Sequence, residues 1–173
     1  KGVKKNMGMG LCLLGIATGV LCGIWIEFAA MFQLIPWAGF AGCTTYFAFH
    51  ERGWHAVKTV IVCNVSGILC AMLLLYLTTA VSFSFSNGVW CGMITLVMCL
   101  LGYIRCTPFV PGIFMGCFST FAAQGEWQML AVSMACGGVL GHLCYELGTQ
   151  SYEFLLRNGV LQESGAEKNG GSH

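Results

Sequence analysis

The sequence predicts an all-α polytopic membrane protein: six transmembrane helices in two inverted three-helix repeats, with both termini cytoplasmic. Three observations carry this expectation. Apolar residues make up 57% of the 173 and charged residues only 9%, with a mean hydropathy of +0.75. All 8 Lys and Arg fall on one side of a six-span count. Two segments about 74 positions apart echo each other.

Composition sets the class first. A soluble domain carries roughly a quarter charged residues, so this chain cannot cover a globular surface with polar groups, and the lipid bilayer is its solvent. A net charge of +1 supplies no basic patch able to neutralise phosphates, which excludes nucleic acid as a partner.

The spans follow in order, a helix needing about 20 apolar residues to cross the hydrocarbon core. The first runs over 8–32. Its basic start, Lys1-Gly2-Val3-Lys4-Lys5, resembles a signal peptide, but the apolar run continues to Phe32, beyond a signal h-region, and no small-residue cleavage site ends it. Lys1 in place of a start methionine implies residues before it. The second span, 35–50, and the fifth, 108–124, are short and carry Pro, Gly, Thr and Ser, as tilted or partly unwound spans do where protein covers the backbone. The third, fourth and sixth cover 56–80, 85–104 and 127–149. Ser151 to Arg157 reads as an amphipathic interfacial helix within 150–158. Residues 1–158 thus form one transmembrane domain, with repeats at about 8–80 and 85–149. The polar tail 159–173 ends in Gly170-Gly171-Ser172-His173, which reads as an appended linker.

Charge tests the count. With the amino end inside, the cytoplasmic segments hold Lys1, Lys4, Lys5, Arg52, Lys58, Arg105, Arg157 and Lys168. The opposite loops, 33–36, 81–87 and 124–126, hold no Lys or Arg, a clean positive-inside pattern. Trp25, Trp37, Trp54, Trp90 and Trp127 fall near predicted span ends, as interfacial anchors do.

The echo is Gly42-Cys43-Thr44-Thr45-Tyr46-Phe47-Ala48 against Gly116-Cys117-Phe118-Ser119-Thr120-Phe121-Ala122. Each follows a proline-marked apolar stretch and precedes a polar break ending in tryptophan (Trp54, Trp127). Three spans per half is odd, so the halves enter the membrane from opposite sides. Inverted repeats of this kind place solute sites at their interface near mid-membrane.

Small-residue steps are frequent: Gly15/Gly19/Gly23, Gly88/Gly92, Gly112/Gly116 and Gly137/Gly141. Such spacing lets helix backbones approach closely, chiefly within the bundle and secondarily at a homo-oligomer seam. The eleven cysteines lie almost all in apolar runs without CxxC or Cys/His ligand spacing, so they read as small hydrophobes, with no metal or cofactor expected.

Residues able to carry chemistry are few. Thr44, Thr45, Tyr46, Ser119 and Thr120 can offer hydrogen bonds to a neutral solute without presenting charge, and Phe47 and Phe121 can narrow the path. In a helix such hydroxyls also bond to their own backbone four residues back. Glu27 lies in the outer part of the first span, where a charge at mid-membrane would cost roughly 2.5–3.5 kcal/mol or more. It is an interfacial glutamate or a vestibule residue. His142 and Glu146, four apart, share a face of the sixth span and can pair. Asn64 is expected to donate a hydrogen bond between helices. The chain has no Asp, no Walker loop and no HExxH, so an enzyme is not expected.

The stretches Trp37 to Ala48 and Phe109 to Trp127 resemble the YcdZ-like bacterial inner-membrane proteins, a family carrying a domain-of-unknown-function label. The resemblance extends from the first span to about Gly148 and implies a small multi-span protein of the bacterial cytoplasmic membrane. It implies no substrate and no functional residues. The sequence therefore supports a channel or facilitator for a small neutral solute, assembled as a homo-oligomer. The alternatives are a proton-coupled transporter using Glu27 or His142/Glu146, and a non-transporting membrane scaffold.

Overall fold

The computed structural model describes the backbone of residues 2–81 and 85–158, with side chains from Gly10 onward. The described residues are all-α: α1 (Gly2–Met31), α2 (Pro36–Ala48), α3 (Trp54–Ala80), α4 (Ser86–Leu101), α5 (Val110–Ala122) and α6 (Trp127–Arg157). Three stretches are long and apolar enough to cross a membrane: Gly10–Met31 of α1, all of α3, and α6. The helices α4 and α5 are shorter and apolar.

Local chemistry sets the boundaries. Pro36 opens α2 at its first position, where a missing N–H costs nothing, and extended Ile35 precedes it. Pro111 is likewise in the first turn of α5. The chain leaves α1 through a Schellman turn: Gln33 takes φ 54°, its N–H donates to Ala30 O, and the Leu34 N–H donates to Ala29 O. The end of α5 repeats it, with Gln124 at φ 53° and the Gly125 N–H donating to Thr120 O. Both short helices are continuous over 13 residues. At 1.5 Å per residue each is about 20 Å long, against about 30 Å of hydrocarbon. The segment 150–158, expected as a separate interfacial helix, instead continues α6 without a break to Arg157. The tail 159–173 and the side chains of Lys1, Lys4 and Lys5 lie outside the described residues.

By packing the described residues form two units, one within 22–142 and the other of residues up to 21 with those from 143 to 158. In the larger unit α3 touches α2, α4 and α5. One apolar cluster joins α3, α4 and α5 through Cys63, Cys70, Leu74, Ile94, Met98 and Ile113. A second joins α2, α3 and α6 through Ala38, Ile68, Leu130 and Met134. In lipid, apolar burial alone does not drive helices together, so close backbone contact must contribute. Glycine provides it at two crossings. On α5 and α3, Gly116 faces the Asn64 carbonyl and Gly67 faces the Ile113 carbonyl. On α2 and α6, Gly42 faces the Met134 carbonyl and Gly137 faces the Gly39 carbonyl. A Cβ at any of the four would overlap a carbonyl oxygen. The second helix of each three-helix stretch therefore lies on the third helix of the other.

The glycine steps divide accordingly. Gly112/Gly116 and Gly137/Gly141 are used in these contacts, whereas Gly15, Gly19, Gly23, Gly88 and Gly92 have no neighbour among the described residues within 4 Å of an added Cβ. Trp25 departs from the interfacial role expected of it. Its ring is buried over Gly39, and its indole N–H donates to the Pro36 carbonyl at 2.9 Å. The bare α-carbon of Gly39 leaves the ring its place. In the smaller unit, Gly148 lies against Leu14, and Gly10 lies against the Tyr152 ring.

Candidate functional site

The candidate hydroxyl residues stand on α2 and α5, and helical spacing decides which of them turn inward. On α2, the residues Ala38, Gly39, Gly42, Cys43, Thr45 and Tyr46 are buried. On α5 the buried set is Gly112, Ile113, Gly116, Ser119 and Thr120. The two stripes match at a spacing of 74: 38 with 112, 39 with 113, 42 with 116, 45 with 119 and 46 with 120. Thr44 and Phe121 are exposed on the opposite faces, and Phe47 is half-buried. The stripes meet each other where Gly112 faces the Thr45 methyl.

Thr45 and Thr120 satisfy themselves: Thr45 Oγ1 donates to Ala41 O at 2.8 Å, and Thr120 Oγ1 to Gly116 O at 2.9 Å. Ser119 does not. Its Oγ is fully buried without a hydrogen-bond partner. Asn64, expected to donate between helices, is also buried, yet neither its Nδ2 nor its Oδ1 has a partner among the described residues. Backbone contact at Gly116 holds the α3–α5 crossing in place of that side-chain bond.

Tyr46 anchors a second polar group. Its hydroxyl accepts the Gly53 N–H at 3.1 Å and lies 3.2 Å from His142 Nδ1. The His142 ring, itself buried, meets the Trp54 ring edge-on at 4.8 Å between centroids. Arg52 closes the end of α2: its Nη1 donates to the Phe49 carbonyl and, at 2.9 Å, to the Glu51 carbonyl, with Cζ 5.7 Å from the Tyr46 ring centre. A cation at a helix C-terminus is favoured by the helix dipole, and over an aromatic face by the ring quadrupole. Glu27 is exposed one turn before the end of α1, and Glu146 is half-buried one turn beyond His142 on α6.

Sequence reasoning did not single out Ser133, whose buried Oγ accepts the Ile35 N–H at 2.9 Å and donates to Met129 O at 2.7 Å. It thereby ties the start of α2 to α6. The available signal was position: Thr59 lies 74 residues earlier, and it too is buried and bonded to a carbonyl four back.

The family described as "Protein of unknown function (DUF1097)" matches residues 15–149. This chain belongs to that family. Among curated relatives it is similar to Inner membrane protein YcdZ of Escherichia coli (strain K12), 35% identical over 133 residues, covering 76% of this chain and 82% of the relative. The protein of the same name from Salmonella typhimurium (strain LT2) is 34% identical, covering 76% and 83%. No solved structure matches the chain. With its three long apolar helices, this DUF1097 chain is a multi-pass inner-membrane protein. The matched region contains both buried stripes and both glycine crossings.

Proposed function

We propose that this DUF1097 protein is a channel or facilitator for a small neutral solute, with the path at the interface of two inverted three-helix repeats. The observation that carries it is the meeting of the two matched stripes, which buries Thr45, Ser119 and Thr120 among α2, α3 and α5 with no Asp, Glu, Lys or Arg buried among the described residues. Hydroxyls without charge suit a neutral solute, since a buried ion would have no counter-charge to offset its desolvation.

The inverted arrangement is supported by the reciprocal crossings, α2 on α6 and α5 on α3. It is further supported by the one-sided distribution of Lys and Arg, the pattern expected of a chain with both termini in the cytoplasm. A homo-oligomer is supported by the open glycine steps of α1 and α4, where an added Cβ would meet nothing within 4 Å among the described residues. No catalytic role is proposed for any of these residues.

A proteoliposome swelling assay across small amides, polyols and weak acids tests the proposal. Permeability above that of empty liposomes is expected for one class, with a reduction in Thr45→Val and Ser119→Val. Absence of any such permeability would sink it and leave a membrane scaffold. Buried His142 beside Tyr46 favours one second reading, proton-coupled transport. That would give saturable uptake driven by a pH gradient and lost in His142→Ala.

A further inference from the structure

Most buried hydroxyls here are spoken for by carbonyl oxygens. Thr45, Thr59, Thr107, Thr120 and Ser133 each donate to one, at distances between 2.7 and 3.0 Å. Against that background, three side-chain atoms stand out as buried and without a partner among the described residues: Asn64 Nδ2, Asn64 Oδ1 and Ser119 Oγ. Thr45, the residue matched to Ser119, bonds to the carbonyl four back, whereas Ser119 leaves its hydroxyl unused.

Both residues belong to one crossing. Gly116 of α5 rests on the Asn64 carbonyl of α3, and Ser119 is the next buried position of the same α5 stripe. Leaving a buried amide and hydroxyl unmade costs the full desolvation of each group, and hydrocarbon offers no water in exchange. A group kept at that cost points to an occupant that satisfies it.

We propose that Asn64 and Ser119 form a binding position for a small neutral molecule carrying both a hydrogen-bond donor and an acceptor. A carboxamide presents two donors and one acceptor, and a serine hydroxyl presents one donor with two lone pairs. The complement is a formamide- or urea-like amide, or water, which offers the same paired chemistry. Charge is excluded because no charged side chain is buried among the described residues. Size is limited because α3 and α5 approach to backbone contact at Gly67 and Gly116. This position deepens the proposed solute path, and rests on it only for the route by which the occupant arrives.

The test is the thermal unfolding of purified protein with formamide, acetamide and urea kept below denaturing concentrations, beside osmotic water flux in proteoliposomes. The wild type should gain Tm with probe concentration, by about 4 °C at ten times Kd, and Asn64→Leu and Ser119→Ala should lose that gain. Without probe, Asn64→Leu should melt at or above the wild-type Tm, because it removes an unmet buried amide. A fall in its Tm with water flux unchanged would mean a structural hydrogen bond and overturn the proposal. With no gain from any probe, water flux that falls in both variants identifies water as the occupant. Observing no gain and no such fall would overturn the proposal. Should Asn64→Leu not fold, Ser119→Ala decides, and an unchanged probe response in it overturns the site. Amide binding without solute flux would keep the site and sink only the channel.

Discussion

The Tyr46 hydroxyl lies 3.2 Å from His142 Nδ1 while accepting the Gly53 N–H at 3.1 Å. One phenol thus joins the end of α2, the start of α3 and the middle of α6. With one lone pair taken by Gly53, the hydroxyl keeps a proton and a second lone pair, so the direction of the bond to the imidazole follows the His142 tautomer. Tyr46→Phe keeps the ring and the Arg52 contact over it but removes the hydroxyl's contacts with His142 Nδ1 and the Gly53 N–H. The expected loss is about 1–3 kcal/mol, a Tm fall of roughly 2–8 °C for a chain of this size. A double-mutant cycle with His142→Leu should give a coupling of about 0.5–3 kcal/mol. Additive effects within a few tenths of a kcal/mol would remove the hydrogen bond from the account.

The glycine steps divide into two classes that mutation should separate. Gly116→Ala and Gly42→Ala place a methyl against a carbonyl oxygen of the neighbouring helix, so the helices must part. We expect loss of monodisperse protein on size-exclusion chromatography, or a Tm lowered by more than the overpacking cost of about 1–3 kcal/mol. Gly19→Ala meets nothing within 4 Å and should keep or raise Tm, since Ala is the better helix former by about 1 kcal/mol. Gly19→Leu reads the proposed oligomer: reduced cross-linking between copies at unchanged Tm supports a seam on α1. Undiminished cross-linking would place the seam elsewhere.

Much of this was legible in the chain. Low charge and long apolar runs gave an all-α membrane protein, because lipid leaves backbone groups only internal partners. The prolines at 36 and 111 marked the two short helices, since proline is tolerated in a first turn. The echo between Gly42–Ala48 and Gly116–Ala122 turned out to be a match of buried stripes as well. Side-chain partners were not legible. Trp25 looked like an anchor because it sits near a helix end, yet Gly39, far from it by helical spacing, clears the space that buries it. Asn64 looked like a helix–helix donor from its type alone. Only the crossing at Gly116 shows that backbone contact took that role.

Topology can be checked with a thiol of the chain itself. Cys106 is exposed in the connection between α4 and α5, next to Arg105. In the proposed topology, with both termini cytoplasmic, that connection faces the cytoplasm. A membrane-impermeant maleimide should then label Cys106 in inverted vesicles and not in intact cells. Gln124→Cys, in the exposed turn after α5, should show the opposite pattern in a background where Cys106 is serine. Labelling of both sites from the same side would undo the inverted-repeat assignment.

The start of α2 is held twice, and the two holds should be coupled. Ser133 Oγ accepts the Ile35 N–H, and the Trp25 indole donates to the carbonyl of Pro36, the next residue. Ser133→Ala strands a backbone donor where the connection from α1 turns into α2, at an expected cost of about 1–3 kcal/mol. Trp25→Phe removes the indole N–H and leaves the Pro36 carbonyl to the ordinary bonding of the first helical turn, so its cost should be smaller, about 0.5–1.5 kcal/mol. Because both act on one dipeptide, the double variant should lose less than the sum of the singles. Hydrogen exchange localises the effect: amides at Ile35 and in the first turn of α2 should exchange faster in Ser133→Ala, while those of α4 stay unchanged. Equal acceleration across both helices would mean that Ser133 supports the unit as a whole and not the start of α2.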